Sequence, residues 1–194
     1  MNFDLSQALR TLKPQKQNRS LERRAESELR WAADEPQLGG PILLDTCVYI
    51  DSLQGRSPHD VKNLVRYRTC HHSTVCLAEL THVFGRLDPS HPNTNSVLRI
   101  VGETIADIPS HRLHAPDGMA WGSAGMLAGV LARLSSAPMG QRHDRVLNDS
   151  LIALQARAVG GAVLTRNVGD FDFLSQLLPA LFVVNYRRSD RGER

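Results

Sequence analysis

Ile42-Leu43-Leu44 is a short apolar run that stops abruptly at Asp45-Thr46. A run of that length, bounded by turn formers, has the texture of a strand buried on both faces, as in a parallel sheet. The pattern recurs. Ser73-Thr74-Val75-Cys76 is rich in β formers, residues 111–114 form a further candidate, Ala162-Val163-Leu164-Thr165 repeats the first run, and residues 181–184 close the series. Between them lie stretches with helical spacing at residues 64–67, 77–87, 97–106 and 171–178. Pro116-Asp117 starts a longer helix with Trp121, Ala124, Leu127, Leu131 and Leu134 on one stripe, and Gly122, Ser123, Gly125 and Gly129 leave room for close packing on it. Asp149 is placed to open another helix, which Gly160-Gly161 stops. Strands alternating with helices predict an α/β fold on a mainly parallel sheet.

Residues 1–40 have a different character. Leu5, Ala8, Leu9 and Leu12 follow helical spacing, and Asp4 with Gln7 resembles a capping box. Leu21, Ala25, Leu29 and Ala32 predict a second helix, with Glu26 and Arg30 spaced for an i,i+4 ion pair. Pro36 and Gly39-Gly40-Pro41 then break the chain. Helices this short are marginal alone, so the segment is expected to dock on the domain or on a partner. The organisation read from this pattern is an N-terminal helical extension at 1–40, a compact domain at 41–186 and a basic, mobile tail at 187–194 with Arg187, Arg188, Arg191 and Arg194. Residues 135–143 are expected to form a loop.

Composition narrows the class. With 194 residues, 41% apolar and 22% charged, the chain is an ordinary globular one. Its three cysteines, Cys47, Cys70 and Cys76, form no C-x-x-C pair and suit a reducing, cytoplasmic setting. No apolar run approaches the ~18 residues that a membrane span needs, and no secretory h-region is present. The expectation is a soluble cytoplasmic protein. The bases comprise 20 Arg and only three Lys, for a net charge of +3. Arg suits phosphate, but a G+C-rich coding sequence produces the same bias.

Four acids sit in apolar company. Asp45 ends the first strand, Glu79 lies in Val75-Cys76-Leu77-Ala78-Glu79-Leu80, Asp149 precedes Ser150-Leu151-Ile152, and Asp170 follows the strand at 162–165. A buried carboxylate needs a partner. Helix capping by Asp149 and Asp170, an Arg partner for Glu79, and turn hydrogen bonds for Asp45 would each suffice singly. Jointly they suggest one site, because functional residues collect beyond the carboxyl ends of strands in open α/β sheets. Carboxylates gathered there require a cation. An oxygen-only donor set suits Mg²⁺ or Mn²⁺ and matches phosphodiester cleavage by metal-activated water.

Here the chain resembles a family. Leu43-Leu44-Asp45-Thr46-Cys47-Val48-Tyr49-Ile50-Asp51 looks like the opening strand and turn of PIN-domain nucleases. Ser73 to Leu80, Asn148-Asp149-Ser150-Leu151-Ile152-Ala153, and Leu164-Thr165-Arg166-Asn167-Val168-Gly169-Asp170-Phe171 are similar to their later acidic motifs. Order and spacing resemble those of VapC-type toxins of bacterial toxin–antitoxin pairs, over about residues 41–186. The resemblance implies a PIN-like five-stranded parallel sheet sandwiched by helices, a Mg²⁺- or Mn²⁺-dependent endoribonuclease site, an RNA substrate, a homodimer and a cognate antitoxin that blocks the site. By position, Asp45, Glu79 and Asp149 would be metal-binding acids. Thr46 and Thr165 would position water or a carboxylate. Many members have Asp where this chain has Asn167, and others have Asn there with an acid three residues on, as Asp170 is here. Either Asn167 or Asp170 would complete the site. The extension at 1–40 is a second departure and leaves open a housekeeping RNA-processing nuclease.

Other readings compete. Cys70-His71-His72 resembles a metal tract without a second pair at ligand spacing. Cys47 is a candidate nucleophile, Arg166 and Arg86 are candidate phosphate contacts, and Asp51 is either a supporting acid or the start of a loop. His82, His111, His114 and His143 read as surface or loop residues. A phosphotransfer hydrolase with Asp45 as nucleophile would want a second Asp at position 47, where Cys stands. A PIN-like RNA- or protein-binding module without catalysis is the remaining alternative, motivated by the missing charge at Asn167.

Overall fold

Ile42–Leu44 (β1) runs through the centre of the sheet with all three side chains buried, which is why the run carries no polar residue. The computed structural model describes residues 3–135 and 143–189. Of the loop expected at 135–143, residues 136–142 and the side chain of His143 lie outside the described residues, as do tail residues Arg191 and Arg194. Before β1 comes α1 (Leu5–Leu12). After it come α2 (Thr46–Leu53), α3 (His59–Tyr67), β2 (Cys70–Ser73), α4 (Thr74–Arg86), α5 (Thr94–Ala106) and β3 (Leu113–His114). Then follow α6 (Gly118–Leu134), α7 (His143–Ala158), β4 (Ala162–Thr165), α8 (Val168–Leu177) and β5 (Phe182–Asn185).

The five strands form one parallel sheet in the spatial order β3-β2-β1-β4-β5. The chain first moves outward through β2 to β3, then returns to the other side of β1 with β4. The crevice beyond the carboxyl ends of β1 and β4 is therefore a topological switch point, where open α/β sheets bind ligands. Gly160, at φ 65°, ends α7. At Gly161 an added Cβ would sit 2.8 Å from the Pro41 carbonyl oxygen. That absence lets β4 approach β1 closely enough for Ala162 N–H to reach Pro41 O at 3.0 Å. Among the described residues no helix is long and apolar enough to cross a membrane.

Three local expectations are corrected. The second strand lies at Cys70–Ser73 rather than 73–76, and the β-branched pair Thr74-Val75 enters α4 instead. The Ser73 hydroxyl accepts from Val75 N–H at 3.0 Å and starts the helix there. Asp149 does not open a helix, because α7 begins at His143 and Asp149 lies inside it. Asn167, not Asp170, caps α8, and its side chain accepts from Asp170 N–H. Asp117 does cap α6, accepting from Ala120 N–H at 2.8 Å.

The extension docks on the domain, but only its first part is helical. Asp4 caps α1, whose Ala8 and Leu12 are buried, and Phe3 covers Gly122 on α6. The expected helix over 21–32 is instead extended chain with single 3₁₀ turns at Glu26–Glu28 and Ala32–Asp34. Apart from the bonds inside those turns, several of its backbone groups bond to the domain. Leu21 N–H donates to Leu134 O at 3.1 Å, and Asn185 N–H donates to Arg30 O at 2.8 Å. Glu26 and Arg30 do not pair. Arg30 bonds Glu35 at 2.6 Å, and Glu26 takes Arg187, so the start of the expected mobile tail is held. Ser189 N–H also bonds Arg56 O at 3.0 Å.

Arg24 is the central pin. Its Nε lies 2.6 Å from Oδ1 of the buried Asp172, and its backbone N–H reaches Oδ2 at 3.1 Å. Arg24→Ala would leave Asp172 buried beside one donor fewer and without its cation. Because the Arg24 side chain is partly solvated, the expected loss is about 2 kcal/mol, toward or below the lower end for broken buried pairs. Urea unfolding of the variant, with a lower midpoint and unchanged slope, checks this.

Candidate active site

The site is assembled at the switch point from the β1–α2 junction, α4, α7, the end of β4 and the start of α8. Asp45 is the residue between β1 and α2, and its N–H extends the β1–β4 ladder by bonding Leu164 O at 3.1 Å. Its carboxylate makes no capping hydrogen bond to α2. Instead Oδ2 accepts from the Thr165 hydroxyl at 2.6 Å and from the Cys47 thiol at 3.0 Å. Thr165, fully buried at the end of β4, also accepts from Asn167 N–H at 2.8 Å. One hydroxyl thus ties the ends of two neighbouring strands together.

Glu79 reaches the site from α4. Its Oε2 accepts from the Thr46 hydroxyl and its Oε1 from the Asn148 amide at 2.7 Å. Asp149 projects from α7, and the Asn167 amide nitrogen stands between it and Asp170, at 2.8 Å and 3.1 Å from their Oδ2 atoms. Arg145 lies at the rim with Nε 3.8 Å from Asp170 Oδ2 and most of its side chain exposed. Asp45, Asp149 and Asp170 are only 5%, 6% and 4% exposed, whereas Glu79 is half-buried.

Burial sets the electrostatics. It pushes the Asp45 carboxyl above the usual carboxylate range, with Glu79 adding to the rise while Thr165 and Cys47 hydrogen bonds oppose it. Asp149 is pushed up for the same first reason, and then by the negative charges of Asp45 and Asp170, with Arg145 pulling the other way. Among the described residues neither Asp45 nor Asp149 forms an ion pair.

The four sequence-predicted acids therefore come within electrostatic reach of one another, accompanied by Thr46, Thr165 and Asn167. The donor set is all oxygen, and its negative charge is crowded and desolvated, which fits a hard divalent cation. Among the described residues no three His, Cys, Asp or Glu side chains are grouped so that they could hold a metal ion as they stand. Hydroxyl and amide donors from Thr46, Asn148, Thr165 and Asn167 span the carboxylates instead.

Other candidates separate from the site. Arg166 turns to Asp51, with Nε 2.8 Å from Oδ2, and Tyr186 OH reaches the same oxygen at 2.9 Å. Asp51 is 1% exposed inside α2, so it begins no loop and Arg166 is not a free phosphate contact. Desolvation pushes the Cys47 thiol up to about 12, which removes it as a thiolate nucleophile. His71 and His72 face opposite sides of β2, as strand alternation requires, so they do not converge on one ion. His71 Nδ1 meets His114 Nε2 at 2.9 Å, while His72 meets the Tyr49 hydroxyl at 2.6 Å and is pulled down to about 4 by burial. Arg86 is exposed on α4. Asn148 and Arg145 were not singled out from the sequence, although Asn148 adjoins Asp149 and Arg145 lies one helical turn before it.

No protein-family model and no curated protein matches the chain. Solved structures do. The chain is similar to VapBC2 of Rickettsia felis bound to a DNA fragment from its promoter, with 21% identity, a TM-score of 0.50, and coverage of 76% of this chain and 99% of that one. It is similar to FitAcB of Neisseria gonorrhoeae, with 19% identity, a TM-score of 0.55, and coverage of 74% and 96%. A DNA-bound VapBC from Salmonella typhimurium matches at 21% identity and a TM-score of 0.52, covering 76% and 98%. The fold is PIN-like. At this identity the likeness concerns the PIN-like fold, with its all-parallel sheet and switch-point crevice, and the chain spans nearly the whole length of each matched neighbour.

The crowded carboxylates carry a stability prediction for the metal-free protein. Asp149 has a higher pKa folded than unfolded, so the folded state binds more protons between those two values. Stability is therefore expected to rise as pH falls through that window from above, opposite to the behaviour of a salt-bridged Asp. Asp149→Asn removes the charge and is expected to stabilise the apoprotein near neutral pH by about 1 kcal/mol. Thermal melts in EDTA at several pH values check both signs.

Proposed function

We propose that this PIN-like domain is a Mg²⁺- or Mn²⁺-dependent endoribonuclease, the toxin of a VapBC-like toxin–antitoxin pair. The observation that carries the reading is the cluster of Asp45, Glu79, Asp149 and Asp170 at the β1–β4 switch point, with two of the carboxyls buried and lacking an ion pair among the described residues. VapBC and FitAB complexes among the structural neighbours support the toxin–antitoxin part. Asp45, Asp149 and either Asp170 or Asn167 would hold the cation, with Glu79 beside it. When bound, the metal would lower the pKa of water and stabilise charge on the phosphodiester oxygens. Thr165 orients Asp45, Thr46 orients Glu79, and Asn167 orients Asp149 and Asp170. Each carboxylate is thereby held against rotation before substrate arrives. The reading includes an RNA substrate, a homodimer, a cognate antitoxin that covers the site, and a cytoplasmic location.

A second reading is favoured by one observation. The Asn167 amide bridges Asp149 and Asp170 and supplies no negative charge of its own. A domain that binds RNA or protein without cleaving would have this feature.

The two readings separate in a cleavage assay on purified RNA with Mg²⁺ or Mn²⁺. The nuclease reading expects metal-dependent cutting that EDTA stops and that Asp45→Asn reduces at least 100-fold. It also expects millimolar Mn²⁺ to raise the melting temperature of the wild type but not of Asp45→Asn. Equal cleavage by the folded variant sinks the nuclease reading. Binding of RNA without cleavage, and without a metal-induced shift, selects the second one.

A further inference from the structure

One exposed cation of the extension lies against the first turn of α8, which carries Asp170. Two hydrogen bonds bracket Arg23 in the extension. Leu21 N–H bonds Leu134 O at 3.1 Å, and Arg24 N–H bonds Asp172 Oδ2 at 3.1 Å. They fix the main chain of Arg23 across α8. Its guanidinium carbon lies 4.8 Å from the centroid of the Phe173 ring. Its terminal nitrogens lie against Gly169, where an added Cβ would come within 2.7 Å of Nη2 and 2.9 Å of Nη1. Gly169 stands between Val168 and Asp170, in the helical turn that also follows Asn167. Glycine at this position leaves the space the guanidinium fills.

The charge of Arg23 is not used for docking. Arg24 bonds Asp172 and Arg30 bonds Glu35, but Arg23 forms no ion pair among the described residues and its side chain is exposed. A guanidinium lying over an aromatic ring keeps its in-plane N–H edge available for a planar anion. Arg145, also largely exposed, lies 3.8 Å from Asp170, the residue that follows Gly169. A polyanion entering the acidic crevice would bring its reacting phosphate to the carboxylates and its neighbouring phosphate to such a rim.

We propose that Arg23 is a substrate-positioning residue that holds an RNA backbone phosphate next to the one being cut. This rests on the RNA-cleaving reading above. The extension then has a function beyond docking, since it completes the binding rim of a site whose acids all come from the domain.

The test uses the full-length protein carrying Asp45→Asn, so that RNA is bound without being cut. A fluorescent mixed-sequence single-stranded RNA is titrated by anisotropy over a salt series. Adding Arg23→Ala is expected to weaken binding about tenfold and to lower the steepness of log K against log[salt] by about 0.7, one phosphate contact, with an unchanged melting temperature. Arg23→Lys should retain the salt slope and part of the affinity. Gly169→Ala leaves every charge in place but displaces the guanidinium, and should weaken binding about threefold without lowering the melting temperature. Arg24→Ala, by contrast, should lower the melting temperature. Unchanged affinity and slope in Arg23→Ala overturns the proposal while leaving the nuclease reading intact. So does a loss of affinity accompanied by a fall in melting temperature like that of Arg24→Ala, because Arg23 is then only a docking residue. If the Asp45→Asn parent binds no RNA and the wild type cuts none, the nuclease reading fails and the proposal with it.

Discussion

The parallel pairing of β1 with β4 is the constraint on which the molecule is built. It places two strands far apart in sequence side by side, with Leu44 beside Leu164, so that both chains leave the sheet at the same level. Asp45 N–H then bonds Leu164 O, and the Thr165 hydroxyl bonds the Asp45 carboxylate. The backbone and side-chain bonds act on the same two residues. They turn the end of a buried ladder into a fixed platform for a charge. α7, which packs on this part of the sheet, delivers Asp149, and α8 begins with Asn167 and Asp170 just above.

The interior of the domain accepts Asp45 and Asp149 because neutral polar side chains surround them, with no ion pair to either among the described residues. The hydroxyls of Thr46 and Thr165 and the amides of Asn148 and Asn167 each donate to a carboxylate. Neutral donors orient an anion without cancelling its field. The same chain treats other buried acids differently. Asp172 is paired with Arg24, and Asp51 is paired with Arg166 and Tyr186. Arginines therefore sit on Asp172 and Asp51, and Arg145 approaches Asp170 at the rim, while among the described residues Asp45 and Asp149 form no ion pair.

Much of this was legible in the sequence because buried parallel strands are continuous apolar runs with sharp ends. Ile42–Leu44 and Ala162–Thr165 were located on that ground, and the acid or hydroxyl at each end marked the crevice. The second strand was misplaced because Cys70-His71-His72 does not look apolar. Its histidines are accommodated by Tyr49 and His114, contacts that no local pattern announces. Asp149 was mistaken for a helix start because the preceding turn, residues 143–148, is polar. The helix over 21–32 failed for the opposite reason. Its amphipathic spacing is real, but Leu21, Arg24 and Arg30 find stronger partners more than 100 residues away, and tertiary bonds overrode local propensity.

The reach of the extension also bears on when the molecule becomes complete. Residues 3–40 are made before the domain, yet three of their anchors, Leu134, Asp172 and Asn185, lie more than 100 residues further on. Contacts across such sequence separations are slow to form, because a long loop must close before anything is gained. During synthesis the extension can seat first on α6, then on Asp172, and only when β5 emerges does Arg30 find Asn185. The extension is thus made before the domain it docks on, yet its seating is completed only after β5. Its seating places Arg30 and Trp31 against Asn185, so that the end of the open β5 edge is occupied by the protein's own chain.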